Sequence, residues 1–150
     1  MEKLRLTPEY KEFVELLNSH KVEYLIIGGF AVCYYGYVRY TGDIDIWVNP
    51  TKGNAENLVK ALNEFGFASL KNSSNELCTE GYVFQLGYEP NRIDIITSAT
   101  GLVFDECFNK KERMEFEGIE INFIDIQNLI KNKNATGRAQ DIADVKNLSK

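Results

Sequence analysis

Apolar residues recur at helical spacing in several parts of the chain. Phe13 and Val14 lie four and three positions before Leu17, and Thr7-Pro8 precedes them as a candidate N-cap and first helical residue. Similar signals predict further helices, with Ile142, Val145 and Leu148 pointing inward from the last one. The predicted helices are a Thr7-capped helix to about Asn18, Phe30–Tyr35, about Asn54–Phe65 ended by Gly66, about Phe104–Phe108, a helix between Asp125 and Gly137, and Arg138–Leu148.

Shorter apolar runs rich in β-branched residues predict strands between these helices. The last two strands form a hairpin around Glu117-Gly118, and the polar segment from Lys71 to Glu80 reads as an exposed loop. Helices mixed with strands favour an α/β or α+β fold, with a mixed sheet flanked by helices. Since no repeat or linker divides the chain, we expect a single domain over residues 1–150. The predicted strands are about Glu23–Ile27, Asp43–Val48, Tyr82–Leu86, Arg92–Thr97, Arg113–Phe116 and Ile119–Ile124.

Composition narrows the class of protein. The chain of 150 residues is 44% hydrophobic and 26% charged, which is ordinary for a folded globular protein. No apolar run is long enough for a membrane helix, and the first residues have no signal-peptide core. A net charge of −5 argues against broad binding to nucleic acid. We therefore predict a cytoplasmic protein that binds neither membrane nor bulk nucleic acid.

The cysteines and the single histidine suggest no chemistry of their own. Cys33, Cys78 and Cys107 are odd in number and lack C-x-x-C spacing, so buried free thiols are expected rather than a disulfide or a zinc site. His20 follows a predicted helix end, where a catalytic role is not expected.

Two acids interrupt an apolar strand in Asp43-Ile44-Asp45-Ile46. Strand side chains alternate, so both carboxylates lie on one face, where they repel each other unless a cation, an arginine or a lysine relieves them. They could instead protect an exposed edge strand. Asp94 has an equally apolar strand context and could complete a metal site, or form a salt bridge with Arg92. Three carboxylates suit Mg²⁺, which prefers oxygen ligands.

A glycine pair, Gly28-Gly29, ends the first predicted strand and precedes a helix. Backbone N–H groups without side chains in the way suit a phosphate. The segment is neither a P-loop nor a dinucleotide fingerprint, because it lacks both G-K-S/T and G-x-G-x-x-G.

These motifs together resemble the DNA polymerase beta-type nucleotidyltransferase superfamily. The likeness spans about Val22 to Leu148. The C-terminal part is similar to minimal nucleotidyltransferases of the abortive-infection toxin and lincosamide nucleotidyltransferase branch. The residues that carry the resemblance are Gly28-Gly29, Arg39-x-Thr41-Gly42-Asp43-Ile44-Asp45-Ile46, Leu129-Ile130, Lys133, Gly137-Arg138 and Asp141-Ile142-Ala143-Asp144-Val145.

The resemblance implies the nucleotidyltransferase fold and a bound nucleoside triphosphate such as ATP. Gly28 and Gly29 would cradle its phosphates. Asp43, Asp45 and Asp94 would hold Mg²⁺, as two ions with Mn²⁺ as an alternative, and Asp94 could also act as the base. Gly29 replaces a serine that many relatives use.

The roles of four further residues stay open at this stage. Arg39 would pair with Asp43 or a phosphate, rather than face solvent, and Thr41 would help the nucleotide site rather than only shape a turn. Lys133 would approach the phosphates or the acceptor, or else lie on a solvated helix face. Arg138 is expected to pair with Asp141 or Asp144.

The leading hypothesis is a Mg²⁺-dependent nucleotidyltransferase that moves a nucleoside monophosphate to a hydroxyl. The acceptor could be a small molecule such as an antibiotic, an RNA end or a protein. One alternative is a non-catalytic module of the same fold, such as a toxin–antitoxin component, and a second is a phosphohydrolase. A homodimer, or a complex with a toxin or antitoxin partner, is compatible with both the nucleotidyltransferase and the non-catalytic module.

Overall fold

The computed structural model describes residues 6–67 and 74–149. Helices and strands are mixed along these ranges, as the apolar patterns predict. In chain order they are α1 (Pro8–Ser19), β1 (Tyr24–Ile27), α2 (Gly28–Tyr34), β2 (Asp43–Val48), α3 (Lys52–Phe65), α4 (Ser74–Leu77), β3 (Val83–Leu86), β4 (Arg92–Ile96), α5 (Phe104–Asn109), β5 (Glu112–Phe116), β6 (Ile119–Phe123), α6 (Ile126–Thr136) and α7 (Ala139–Leu148).

The strands form one mixed sheet in the order β3-β4-β2-β1-β6-β5. The pairs β1–β2, β3–β4 and β5–β6 are antiparallel, whereas β1–β6 and β2–β4 are parallel. The mixed sheet and the late hairpin are thereby confirmed. Parallel pairing of β2 with β4 places Asp45 directly opposite Asp94.

Local capping signals define the helix ends. The side chains of Thr7 and Asp125 accept backbone hydrogen bonds at the starts of α1 and α6, as predicted. Gly66 and Gly137 end α3 and α6 in the left-handed conformation, again as predicted. Thr51 caps α3, so that helix begins earlier than the expected Asn54.

The core fixes the orientation of β2. Phe13, Val14 and Leu17 of α1 are fully buried, and so are Ile44 and Ile46 of β2. Helix α1 packs against α3, while α2 contacts β1, β2 and α6. Because alternate β2 side chains point to opposite faces, burial of the two isoleucines directs the two acids away from them.

The prediction for the inward face of α7 is wrong in part. Ile142 is 63% exposed, whereas Asp141 and Asp144 are buried together with Leu148. The two carboxylates are buried because cations from other segments reach them, as described below. A hydrophobic pattern cannot predict that paired aspartates, rather than an isoleucine, lie on the buried face of a helix.

The predicted exposed loop from Lys71 to Glu80 is also wrong in part. Residues 71–73 lie outside the described residues, but Ser74–Leu77 forms the single-turn helix α4. Leu77 is buried, and α4 packs against α3. The buried Leu77 and the partly buried Cys78 explain why this polar segment is not fully exposed.

Smaller expectations have mixed outcomes. The three cysteines are free, as predicted; Cys33 and Cys107 are buried, whereas Cys78 is partly exposed. Helix α2 begins at Gly28 rather than at Phe30. Across residues 6–67 and 74–149, no helix is long and apolar enough to cross a membrane.

Candidate active site

Three aspartates converge on the face of the sheet opposite Ile44 and Ile46. Asp43, Asp45 and Asp94 each offer one carboxylate oxygen, and these oxygens lie within 4.8 Å of one another. The arrangement follows from the register of β2 and β4, in which Asp45 and Asp94 are direct partners. A cluster of hard oxygen ligands suits Mg²⁺ or Mn²⁺.

Arg92 neutralises part of this cluster. Its Nη2 lies 2.6 Å from Asp43 Oδ2 and 3.0 Å from Asp94 Oδ2, and its Nε lies 2.9 Å from Asp94 Oδ1. Asp94 therefore forms the expected salt bridge with Arg92, and it also belongs to the group of acids that could hold a metal ion. The arginine that relieves the repulsion between the acids comes from β4, two residues before Asp94.

Burial and mutual repulsion raise the pKa values of Asp45 and Asp94. The pKa of Asp45 rises to about 7, first because the side chain is buried and then because Asp43 and Asp94 are close. Burial also raises the pKa of Asp94, while Arg92 opposes that shift. A bound cation would favour the charged form of both acids.

Gly28 allows Asp45 to approach the end of β1. A Cβ at Gly28 would overlap with the Asp45 carboxylate, and the residue has φ +69°. At Gly29, a Cβ would lie 3.0 Å from Arg39 Nη2 and 3.1 Å from Thr41 Oγ1. Close approach therefore requires glycine at position 28, whereas a side chain at position 29 would displace the ends of Arg39 and Thr41 slightly.

Arg39 does not pair with Asp43, which is one of the two partners expected for it, and the other partner, a phosphate, stays a prediction. The guanidinium of Arg39 instead donates two hydrogen bonds of 2.9 Å to Asp144 of α7, which is fully buried and also accepts a bond from Gln140. The Thr41 hydroxyl bonds to the Asp43 backbone oxygen at 3.1 Å and to Oδ1 at 3.3 Å. Arg39 and Thr41 therefore lie beside the glycine pair and border the acids without an Arg39–Asp43 bond.

Lys133 is buried, so the solvated-face interpretation is wrong. Its Nζ lies 2.9 Å from Asp144 Oδ2 and 3.3 Å from Asp141 Oδ1. Asp141 is held in turn by Arg138 at 2.8 Å, which is one of the two pairings expected for that arginine. These contacts lower the pKa of Asp141 and Asp144, although burial alone would raise it. An ionic network thus fixes the Lys133 ammonium group beside the acid cluster.

A cavity of about 660 Å³ lies between the aspartate cluster and the ionic network around Lys133. Gly28, Asp45 and Asp94 border it on the sheet side, and Lys133 and Arg138 border it on the helix side. Its volume lies in the range of small-molecule sites. The cavity brings together the first glycine, two of the acids and the lysine that sequence reasoning selected separately.

Two structural contributors escaped sequence reasoning. Tyr10 of α1 donates its hydroxyl to the backbone oxygens of Pro90 and Arg92, at 3.0 and 3.1 Å, and so fixes the turn before β4. Asp144 serves as the shared counter-ion of Arg39 and Lys133. In the sequence, Asp144 stood out only as part of the C-terminal segment that carries the resemblance and as one of two candidate partners of Arg138.

Comparisons with known proteins identify the family and the fold of the chain. The profile of a family described as "Nucleotidyl transferase of unknown function (DUF2204)" matches residues 7–150. A Thermotoga maritima protein described as a candidate nucleotidyltransferase (TM1012) superposes with a TM-score of 0.60 at 15% identity, covering 95% of this chain and 94% of that one. The lincosamide antibiotic adenylyltransferase LnuA, solved with lincomycin bound, gives 0.57 at 16% identity, covering 99% and 98%. No curated protein sequence matches. At these identities the two structures show a shared fold.

Proposed function

Because the chain belongs to the nucleotidyl transferase family DUF2204, we propose that it transfers a nucleoside monophosphate from a nucleoside triphosphate to a hydroxyl acceptor. The observation that carries the proposal is the convergence of Asp43, Asp45 and Asp94 beside a cavity of about 660 Å³. This convergence supports catalysis over the non-catalytic alternative, since a binding module has no need for three clustered carboxylates.

Asp43, Asp45 and Asp94 would hold Mg²⁺, as one or two ions, with Mn²⁺ as the alternative. When bound, the metal would supply charge neutralisation at the reacting phosphate and align the attacking and leaving oxygens. The residues fit such a group because their oxygens lie within 4.8 Å of one another and Gly28 leaves space for Asp45.

The remaining residues would bind and orient the donor. Gly28 and Gly29 present backbone at the end of β1 without a Cβ, so phosphate oxygens could approach N–H groups there. Lys133 lines the same cavity and its ammonium group is held by Asp141 and Asp144, so it would offer a fixed positive charge to the triphosphate. The side chains of Arg39 and Thr41 lie next to Gly29 and would hold this part of the phosphate site in place.

The transfer requires removal of one proton. The acceptor hydroxyl would attack the α-phosphorus, its proton would pass to the Asp94 carboxylate, and pyrophosphate would leave. Asp94 is the acid to which the resemblance assigns a role near the acceptor hydroxyl.

The acceptor is proposed by class. A small molecule such as an antibiotic is the first choice, since LnuA was solved with lincomycin bound. An RNA end or a protein side chain are the other two. The net charge of −5 favours a compact acceptor over a long nucleic acid.

The test combines binding and transfer. The protein is incubated with Mg²⁺, each of four α-labelled triphosphates and panels of small-molecule, RNA and protein acceptors. Asp43→Asn and Asp45→Asn should abolish transfer, and Glu56→Gln, an exposed acid on α3, should not. If no triphosphate binds in the presence of metal, the proposal that the protein is a nucleotidyltransferase enzyme is refuted. Binding without transfer to any acceptor would favour the non-catalytic module.

A further inference from the structure

Arg92 lies between two of the carboxylates that the proposed function assigns to metal. Its Nη2 donates hydrogen bonds to Asp43 Oδ2 at 2.6 Å and to Asp94 Oδ2 at 3.0 Å. Its Nε donates to Asp94 Oδ1 at 2.9 Å. The guanidinium thus uses both oxygens of Asp94 and one of Asp43, while none of its described hydrogen bonds goes to Asp45.

A metal ion shared by Asp43 and Asp94 needs the same gap. Mg²⁺ binds oxygen at about 2.0–2.1 Å, which is closer than the guanidinium nitrogen lies to either carboxylate. Two cations between the same pair of oxygens would also repel each other strongly at this distance. The bridging guanidinium and a shared metal ion therefore exclude each other.

Glu89 provides a second partner for the arginine. Its Oε2 lies 3.8 Å from Arg92 Nη1, and its side chain is 56% exposed. The backbone of Arg92 is held by the Tyr10 hydroxyl, so the side chain can move while the strand stays in place. Arg92, Glu89, Gln85 and Tyr88 border a second cavity of about 720 Å³.

We propose that Arg92 is an internal counter-cation of the metal site, which bridges Asp43 and Asp94 before metal binds and moves to Glu89 when metal enters. The inference rests on the proposed function, because it takes the three aspartates as metal ligands. In its second position Arg92 would pair with Glu89 on the wall of the 720 Å³ cavity, which both residues already border.

The experiment measures binding of Mn²⁺ alone by electron paramagnetic resonance, without nucleotide. Arg92→Gln removes the competing cation and should bind Mn²⁺ roughly tenfold more tightly, as expected for loss of a charged hydrogen-bonded contact. It should also have a lower melting temperature in EDTA. Arg92→Lys keeps the charge but cannot form the same fork, so it should bind more tightly than the wild type. Glu89→Gln should bind several-fold more weakly, and Arg113→Gln on β5, distant from the acids, should match the wild type.

Each other outcome decides against the proposal. Equal or weaker Mn²⁺ binding by Arg92→Gln would mean that Arg92 orients the acids rather than competes. Wild-type affinity in Arg92→Lys would mean that charge alone matters and that bridging does not. An unchanged Mn²⁺ affinity in Glu89→Gln would show that Arg92 does not move to Glu89 when metal binds. If neither the wild type nor Arg92→Gln binds Mn²⁺, the proposed metal-dependent function fails as well, whereas binding with no difference among the variants overturns only this inference.

Discussion

The carboxylate of Asp45 packs against the α-carbon of Gly28, and no side chain at position 28 fits beside it. The residue also has φ +69°, which side-chain-bearing residues rarely adopt. The end of β1 and the acid-bearing strand β2 therefore fit together only through this glycine.

Replacement of Gly28 by alanine should damage both stability and metal binding. The backbone strain and the overlap with Asp45 should lower the free energy of unfolding by about 1–3 kcal/mol, and the displaced carboxylate should bind Mn²⁺ more weakly. Chemical denaturation and Mn²⁺ titration measure the two effects. Gly53→Ala in α3 is the matched control, since nothing lies within 4 Å of its added Cβ, and it should be neutral or stabilising. Wild-type behaviour of Gly28→Ala would contradict the packing described.

The raised pKa of Asp45 predicts how stability depends on pH. The unfolded chain releases this proton near 3.8, whereas the folded chain keeps it up to about 7. Between these values the folded state binds more protons, so stability falls as pH rises through the window. In EDTA, the wild type should therefore lose melting temperature from pH 5 to pH 8 relative to Asp45→Asn, which has no titrating group there.

Metal should reverse this trend, because a bound cation stabilises the ionised carboxylate. The increase in melting temperature caused by Mn²⁺ should grow above pH 7 in the wild type. Parallel curves for the wild type and Asp45→Asn in EDTA would show that Asp45 does not hold its proton in the folded protein.

Asp144→Asn should be among the most destabilising polar substitutions in the chain. It removes the fully buried anion that pairs with Arg39 and Lys133, and breaking a buried pair typically costs about 3–5 kcal/mol. We expect weaker triphosphate binding too, since Lys133 loses its shorter contact. Urea denaturation and a nucleotide-binding titration measure these effects. Glu56→Gln should shift stability by less than about 0.5 kcal/mol, and an equally small change for Asp144→Asn would refute the network.

Substitutions on α7 should follow the observed face rather than the hydrophobic pattern. Ile142→Gln should change the free energy of unfolding by less than about 0.5 kcal/mol, because Ile142 is exposed. Leu148→Ala on the buried face should cost about 2–5 kcal/mol, or less if the site can collapse. Thermal unfolding of both variants tests the assignment, and the reverse ranking would contradict it.

The sequence was sufficient wherever the determining signal was local. Thr7 and Asp125 cap helices through bonds within four residues, and alternation along β2 separates Asp43 and Asp45 from the core. Asp94 could be added to the pair because its strand had the same apolar character.

The sequence was insufficient where burial depended on a distant partner. An aspartate in a helix is normally exposed, so Asp144 became recognisable as buried only once Arg39 and Lys133 were seen to reach it. For the same reason, the hydrophobic pattern predicted Ile142 on the inward face of α7, where the paired aspartates lie instead. Pairing of Arg39 with the nearer Asp43 was the reasonable expectation from chain proximity, and α7 supplied the stronger partner.

Arg39 and Asp144 are 105 positions apart, which has a consequence for synthesis of the protein. A nascent chain on the ribosome carries the glycines and all three aspartates long before it carries α7. Until that helix emerges, Arg39 and Lys133 lack their common anion, so the lysine that would meet the triphosphate has no fixed position. The candidate site should thus be completed late, after most of the sheet can already form.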